Sequence, residues 1–203
     1  DQNVTAGDAS VRYQSLNDLD LEVLIGSDPA AQQVELVQRV LVSGAVSPSG
    51  TASMVFDGPD MVSITASQTY SLYLQEGSYS LYAAVANGTL NYATLIRVDV
   101  NGPTSLDVAA NSAALATIQA TMIGMRAQSI VISIESAGAY YNVTTPETGM
   151  ASVYLPVGSF TVSVDHSTIV TMADEQRYVR YAGEQDFAMS TSRRNVIIST
   201  VMS

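Results

Sequence analysis

Apolar and polar residues alternate with a period of two along most of this chain, in segments closed by Gly, Pro, Asn and Ser. That is the pattern of half-buried antiparallel strands. Tyr70-Ser71-Leu72-Tyr73-Leu74 and Ser159-Phe160-Thr161-Val162-Ser163-Val164 show it most cleanly. The pattern predicts strands near 52–56, 61–66, 69–75, 78–86, 91–100, 103–109 and 113–121. A second series falls near 128–136, 139–145, 149–155, 159–165, 176–182, 185–190 and 195–202. One stretch departs from it: Asp28-Pro29, followed by Ala30-Ala31-Gln32-Gln33, predicts a single helical turn with an acceptor cap ahead of Pro. Many short strands with frequent turns favour a sandwich over an α/β fold.

The two series repeat one another. Ser71-Leu72-Tyr73-Leu74-Gln75-Glu76-Gly77-Ser78 matches Ser152-Val153-Tyr154-Leu155-Pro156-Val157-Gly158-Ser159, 81 positions later. Carried on without a gap, this register sets Tyr79 against Phe160, Val98 against Val179, Val100 against Tyr181, Gly102 against Gly183 and Leu106 against Phe187. Matched glycines mark turns where a side chain would clash, and matched apolar positions mark a core-facing surface. The expectation is all-β: two tandem antiparallel β-sandwich domains, transthyretin- or Ig-like, over 41–121 and 122–203, with residues 1–40 as an N-terminal extension. The steps at Gln75-Glu76-Gly77 and Pro156-Val157-Gly158 read as tight turns between adjacent strands.

Composition narrows the function classes. The chain has 203 residues, no cysteine, 19 acidic groups, eight arginines and no lysine, for a net charge of −11. Such a balance argues against a nucleic-acid backbone and against an anionic membrane surface as partner. Without cysteine there is no disulfide and no thiolate; without lysine there is no Schiff base, P-loop or Lys–Asn crosslink. No apolar run is long enough to span a bilayer as a helix. The first residue, Asp1, is read as the mark of a removed signal segment or an excised fragment. Three sequons, at Asn3, Asn87 and Asn142, are candidates for N-glycosylation of an exported chain.

Leu155-Pro156-Val157-Gly158-Ser159-Phe160-Thr161-Val162 resembles the signature of the transthyretin-like sandwiches known as carboxypeptidase regulatory-like and CnaB-like domains. In these a strand ends in Leu-Pro-x-Gly and x-Tyr/Phe-x-Val follows. Gly77-Ser78-Tyr79-Ser80-Leu81 gives a second instance, with Gln75 at the place of the proline. Thr145-Pro146-Glu147-Thr148-Gly149 resembles the small-residue turn ahead of that strand. The resemblance covers about half of each repeat. It implies a non-catalytic module: a spacer, stalk, pilin building block or accessory domain. Pilin-type members often carry a Lys–Asn isopeptide bond, which a lysine-free chain cannot form, so any polymer must be non-covalent.

Candidate chemistry is sparse. His166, the single histidine, lies between Asp165 and Ser167, but adjacent strand residues point to opposite faces and cannot form a relay. Asp18, Asp20 and Glu22 would share one strand face; they are candidate ligands of a structural Ca²⁺, and a solvated strand face accounts for them equally. No tryptophan platform or carboxylate-pair motif points to a glycosidase. Two uncharged segments of high β propensity, 129–134 and 196–202, read as apolar edges able to template pairing with another chain, the second doubling as an ordinary last strand. The leader strand 19–25, with Leu19, Leu21, Val23 and Ile25 alternating, has no repeat counterpart and is the better candidate for donation to a neighbour.

These readings converge on an exported, extracellular, non-catalytic structural protein. It would be a subunit of a cell-surface filament, pilus, sheath or S-layer that assembles with copies of itself by β-strand exchange, with glycans as further partners. Bacteria and archaea both fit as the source, with archaea slightly favoured. The alternative is an adhesin or carbohydrate-binding module of a larger surface protein.

Overall fold

A computed structural model describes residues 9–14, 20–25, 38–122, 125–126, 129–172, 175–190 and 194–202. The described residues form strands and turns with no helix, so the chain is all-β as its alternation predicts. The expected helical turn after Asp28-Pro29 lies outside them. Two compact units divide the chain, Asp1–Val37 and Gln38–Ser203.

The first unit holds one antiparallel hairpin, β1 (Ala9–Gln14) and β2 (Asp20–Ile25). Its register sets Ala9 opposite Ile25, Val11 opposite Val23 and Tyr13 opposite Leu21. The register thus opposes three pairs of apolar residues.

In the second unit β3 (Arg39–Ser47), β4 (Thr51–Asp57), β5 (Met61–Ala66), β6 (Thr69–Gln75), β7 (Gly77–Asn87) and β8 (Leu90–Val100) are followed by the two-residue strands β9 (Thr104–Ser105) and β10 (Val108–Ala109). β3 pairs antiparallel with β6 and parallel with β9 and β10, while the antiparallel run β5-β4-β7-β8 forms the facing sheet. Val42, Met54, Phe56, Leu74, Tyr79, Leu81 and Val100 are fully buried between them. The β6–β7 connection is therefore a one-residue corner between sheets, not a hairpin turn. Gly77 takes φ +151° there, and a Cβ on it would lie 2.5 Å from Pro59 Cγ.

The remaining strands are β11 (Asn111–Met122), β12 (Met125–Arg126), β13 (Val131–Ser136), β14 (Ala139–Thr144), β15 (Met150–Pro156), β16 (Gly158–Met172), β17 (Glu175–Met189) and β18 (Arg194–Met202). β11 pairs antiparallel with β15 and parallel with β18; β14-β13-β16-β17 run antiparallel. Ile118, Ile132, Ile134, Leu155 and Val162 are buried in this second core.

The repeat is a repeat of pairings. Val42 opposite Leu72 corresponds to Ala116 opposite Val153, and Phe56 opposite Leu81 to Ile134 opposite Val162. The parallel pair Val46–Val108 corresponds to Ala120–Ile198. Two expectations change in consequence. The segment 113–121, read as the last strand of the first copy, lies in β11, whose pairings correspond to those of β3. The ungapped register also ends within the β16–β17 hairpin, whose strands are 15 residues long against 11 in β7–β8. Tyr79 opposite Val98 matches Phe160 opposite Phe187, so Val98 answers Phe187, not Val179. Val100 correspondingly answers Met189, and Gly183 lies within β17, opposite Val164.

Candidate functional site

The two cores meet along the outer face of β7 and β8. Residues 79–83 of β7 are all buried, which breaks the alternation expected of a strand with one wet face. Tyr79, Leu81, Ala83 and Val85 belong to the first core, whereas Tyr82, Ala93 and Leu95 belong to the second. Tyr82, 6% exposed, stacks on Tyr141 with ring centroids 3.9 Å apart and planes 18° from parallel, and its hydroxyl donates to the Tyr154 carbonyl at 2.9 Å. The Tyr140 N–H donates to Ser80 Oγ at 3.0 Å. Burial, and then the neighbouring Tyr141, push the Tyr82 phenol well above its ordinary pKa; burial also raises Tyr141. The stacked pair and the two hydrogen bonds join β7 to β14 and β15.

A second polar cluster sits under the β4–β5 turn. The Tyr79 hydroxyl lies against the Asp60 carboxylate and 3.0 Å from the Gln75 carbonyl. The Arg39 guanidinium meets Asp60 Oδ2 at 3.0 Å, as an ion pair rather than an aligned hydrogen bond. Burial, reinforced by Asp60, raises the Tyr79 pKa. Tyr70 donates to the Leu106 carbonyl at 2.6 Å; burial, with the Asp107 charge, moves its pKa to about 12. That same carbonyl passes so close to β3 that a Cβ on Gly44 would lie 1.9 Å from it. Both clusters tie strands together inside the fold, the second leaving the buried Asp60 Oδ2 with its ion pair alone.

One open depression among the described residues, about 470 Å³, is lined by Glu135, Ser136, Ser159, Thr161, Asp186 and Phe187 among others. Thr161 Oγ1 donates to Asp186 Oδ1 at 2.7 Å, and Phe160 stacks on Phe187 beneath. Among the described residues no group of three or more His, Cys, Asp or Glu could hold a metal ion.

The residues singled out by sequence fall as follows. Asn3, Asp18 and Leu19 lie outside the described residues. Asp20 and Glu22 stand in β2 opposite Gln14 and Arg12, while Leu21, Val23 and Ile25 take the apolar register positions of the hairpin. The leader strand is thus already paired with β1. Asn87 is exposed at the β7–β8 turn, which Gly88 closes at φ +61°; Asn142 is exposed on β14 opposite Ser133. His166 lies in β16 opposite Tyr181. Neither uncharged segment read as an edge is one: β13 is paired with both β14 and β16, and β18 with both β11 and β17. The tyrosine junction and the β5 edge were missed; the available signal was the loss of alternation across Tyr79–Ala84.

No family model matches the chain, and neither does any curated protein. Among solved structures it is similar to the TIE protein of Bacillus anthracis, at 14% identity and a TM-score of 0.31, covering 95% of this chain and 41% of that one. A streptococcal ancillary pilin gives 11% and 0.31, covering 94% and 73%; the shaft pilin SpaA of Lactobacillus rhamnosus GG gives 9% and 0.28, covering 82% and 98%. The chain therefore spans about two-fifths of the TIE protein. TM-scores this low establish no common fold, and the all-β architecture rests on the strands described above.

Proposed function

We propose that this chain is a non-catalytic, extracellular, pilin- or adhesin-like structural protein that assembles with copies of itself on a cell surface. The reading takes it for a distant relative of the transthyretin-like sandwiches. The observation that carries it is the β1–β2 hairpin, whose register opposes six apolar residues in three pairs. A two-stranded ribbon is marginal in water and gains stability when a further layer covers it. A neighbouring subunit that received it would gain main-chain pairing and buried apolar area together. The tyrosine junction supports the same reading, because a subunit made of two coupled sandwiches transmits tension without hinging between them. Asn87 and Asn142, both exposed, are the sites at which glycans would be carried.

Deletion of residues 1–37 tests this. The cut stops before Arg39, since β3 belongs to the first core. The full chain is expected to form large species that the shortened chain, still folded, does not. Unaltered assembly of the shortened chain contradicts donation by the leader.

A further inference from the structure

Natural sheets guard their free edges with charge, Pro or bulges, because an unpaired strand edge accepts any other extended strand. Among the described residues of the Gln38–Ser203 unit, four strands of six or seven residues are paired along one side only: β5, β6, β14 and β15. None of them carries a charged residue. Several charges stand instead on strands paired along both sides, as with Arg39, Asp57, Arg97, Glu135 and Asp186. This inverts the usual protection.

The four edges are not equally open. On β6 and β15 the core-facing residues Tyr70, Leu72, Leu74, Ala151, Val153 and Leu155 are already buried. The edge of β14 is met at Tyr140 by Ser80. On β5 the core-facing Val62, Ile64 and Ala66 remain half-exposed although they pack on the first core, and Met61 is 71% exposed. One more strand alongside β5 would finish covering them.

Resting on the assembly reading, we propose that β5 is a subunit contact: it pairs antiparallel with β5 of a second copy about a two-fold axis. Charge restricts where a contact between two copies can form. Two copies at −11 each repel wherever carboxylates face one another, and β5 brings none. The acid just ahead of it, Asp60, is engaged by Arg39 and Tyr79, and the nearby Asp57 by Tyr140. Register follows from the pleat. Directly opposed residues must share a face, so the axis falls at a residue and not between two; with the axis at Ser63, near the middle of Met61–Ala66, Ser63 stands opposite Ser63 of the second copy. Val62 then meets Ile64 twice on the core side, and Met61 meets Thr65 twice outside. An isologous contact closes on itself as a dimer, so growth into a polymer needs a second contact, the role given above to the hairpin.

Sedimentation of the full-length chain tests the contact. Ser63 is exposed, so Ser63→Asp leaves the fold intact, checked by circular dichroism, while setting two carboxylates against each other. Association through β5 is expected to weaken about tenfold or more. An equimolar mixture of Ser63→Asp and Ser63→Lys chains is expected to restore it. Ser53→Asp, at an exposed position of the doubly paired β4, is expected to change nothing. Assembly that survives Ser63→Asp, or that Ser53→Asp disrupts equally, overturns the β5 contact and leaves the assembly reading standing. A wild-type chain that stays monomeric overturns both.

Discussion

Replacing Tyr82 separates a real union of the two cores from mere adjacency. The ring is buried, stacked on Tyr141, and bonded through its hydroxyl to the Tyr154 carbonyl. Tyr82→Phe keeps ring and stack and removes one neutral hydrogen bond, a loss of about 1 kcal/mol. Tyr82→Ala also empties a ring-sized volume from a packed interior, at a cost of about 4 kcal/mol, the usual range for a buried aromatic. Of that, about 1 kcal/mol belongs to the stack and should appear as coupling in a double-mutant cycle with Tyr141→Ala. Against a total stability of about 5–15 kcal/mol, the larger change is decisive. At about 3 °C per kcal/mol for a chain of this size, the melting temperature should fall by about 3 °C for Tyr82→Phe and about 12 °C for Tyr82→Ala. Urea unfolding followed by far-UV circular dichroism should show one transition in the wild type and two in Tyr82→Ala, as the sandwiches part. A Tyr82→Ala chain within about 1 kcal/mol of wild type, still unfolding in one step, would refute the coupling.

The matched glycines should behave differently under urea. Gly77→Ala meets both a positive φ and Pro59, and should cost about 2 kcal/mol or more, whereas at Gly158 a Cβ finds nothing closer than the Phe160 ring at 3.6 Å and alanine should be nearly neutral. Gly44→Ala drives a Cβ into the Leu106 carbonyl and should prevent the β3–β9–β10 pairing, read as loss of amide protection in those strands by hydrogen exchange. Ile118, the counterpart of Gly44, should accept alanine with only the ordinary cost of a core truncation, because β18 runs past it unbroken. Stability should also fall at alkaline pH. Tyr70, Tyr79, Tyr82, Tyr140 and Tyr141 are all raised above the ordinary tyrosine value, so the folded state holds protons that the unfolded chain releases. That contribution is whole below about pH 10 and is lost as pH climbs towards about 12, where Tyr70 itself titrates. A urea midpoint flat across this window would contradict it.

Period-two alternation located β5 and β6 to the residue, because each buries one face and wets the other. It failed where that condition fails. β3 went unread, its run of Val and Leu interrupted at Gly44, a glycine present for the crossing of Leu106 and not for a turn. Tyr82 and Leu95 looked like ordinary strand residues, the one local sign of a cover on that face being the loss of alternation across Tyr79–Ala84. The echo at Leu74 and Leu155 revealed the repeat, but the longer β16–β17 hairpin destroys any fixed offset beyond it. Edges were the least legible. High β propensity without charge describes the doubly paired 131–134 of β13 as well as an open strand, and the polar Ser63 and Thr65 disguised the strand that is open. The sequons and the leader's alternation were plain in sequence; the hairpin partner β1 was not read, although Ala9, Val11 and Tyr13 alternate with Ser10, Arg12 and Gln14.

The central claim, that this chain is a self-assembling structural subunit, is tested most directly by electron microscopy of the full-length protein without ligand, paired with light scattering. Ordered filaments or sheets, built from a repeating unit of one or two chains, are the predicted result. A clean monomer of 21.4 kDa that stays monomeric on concentration would contradict the account.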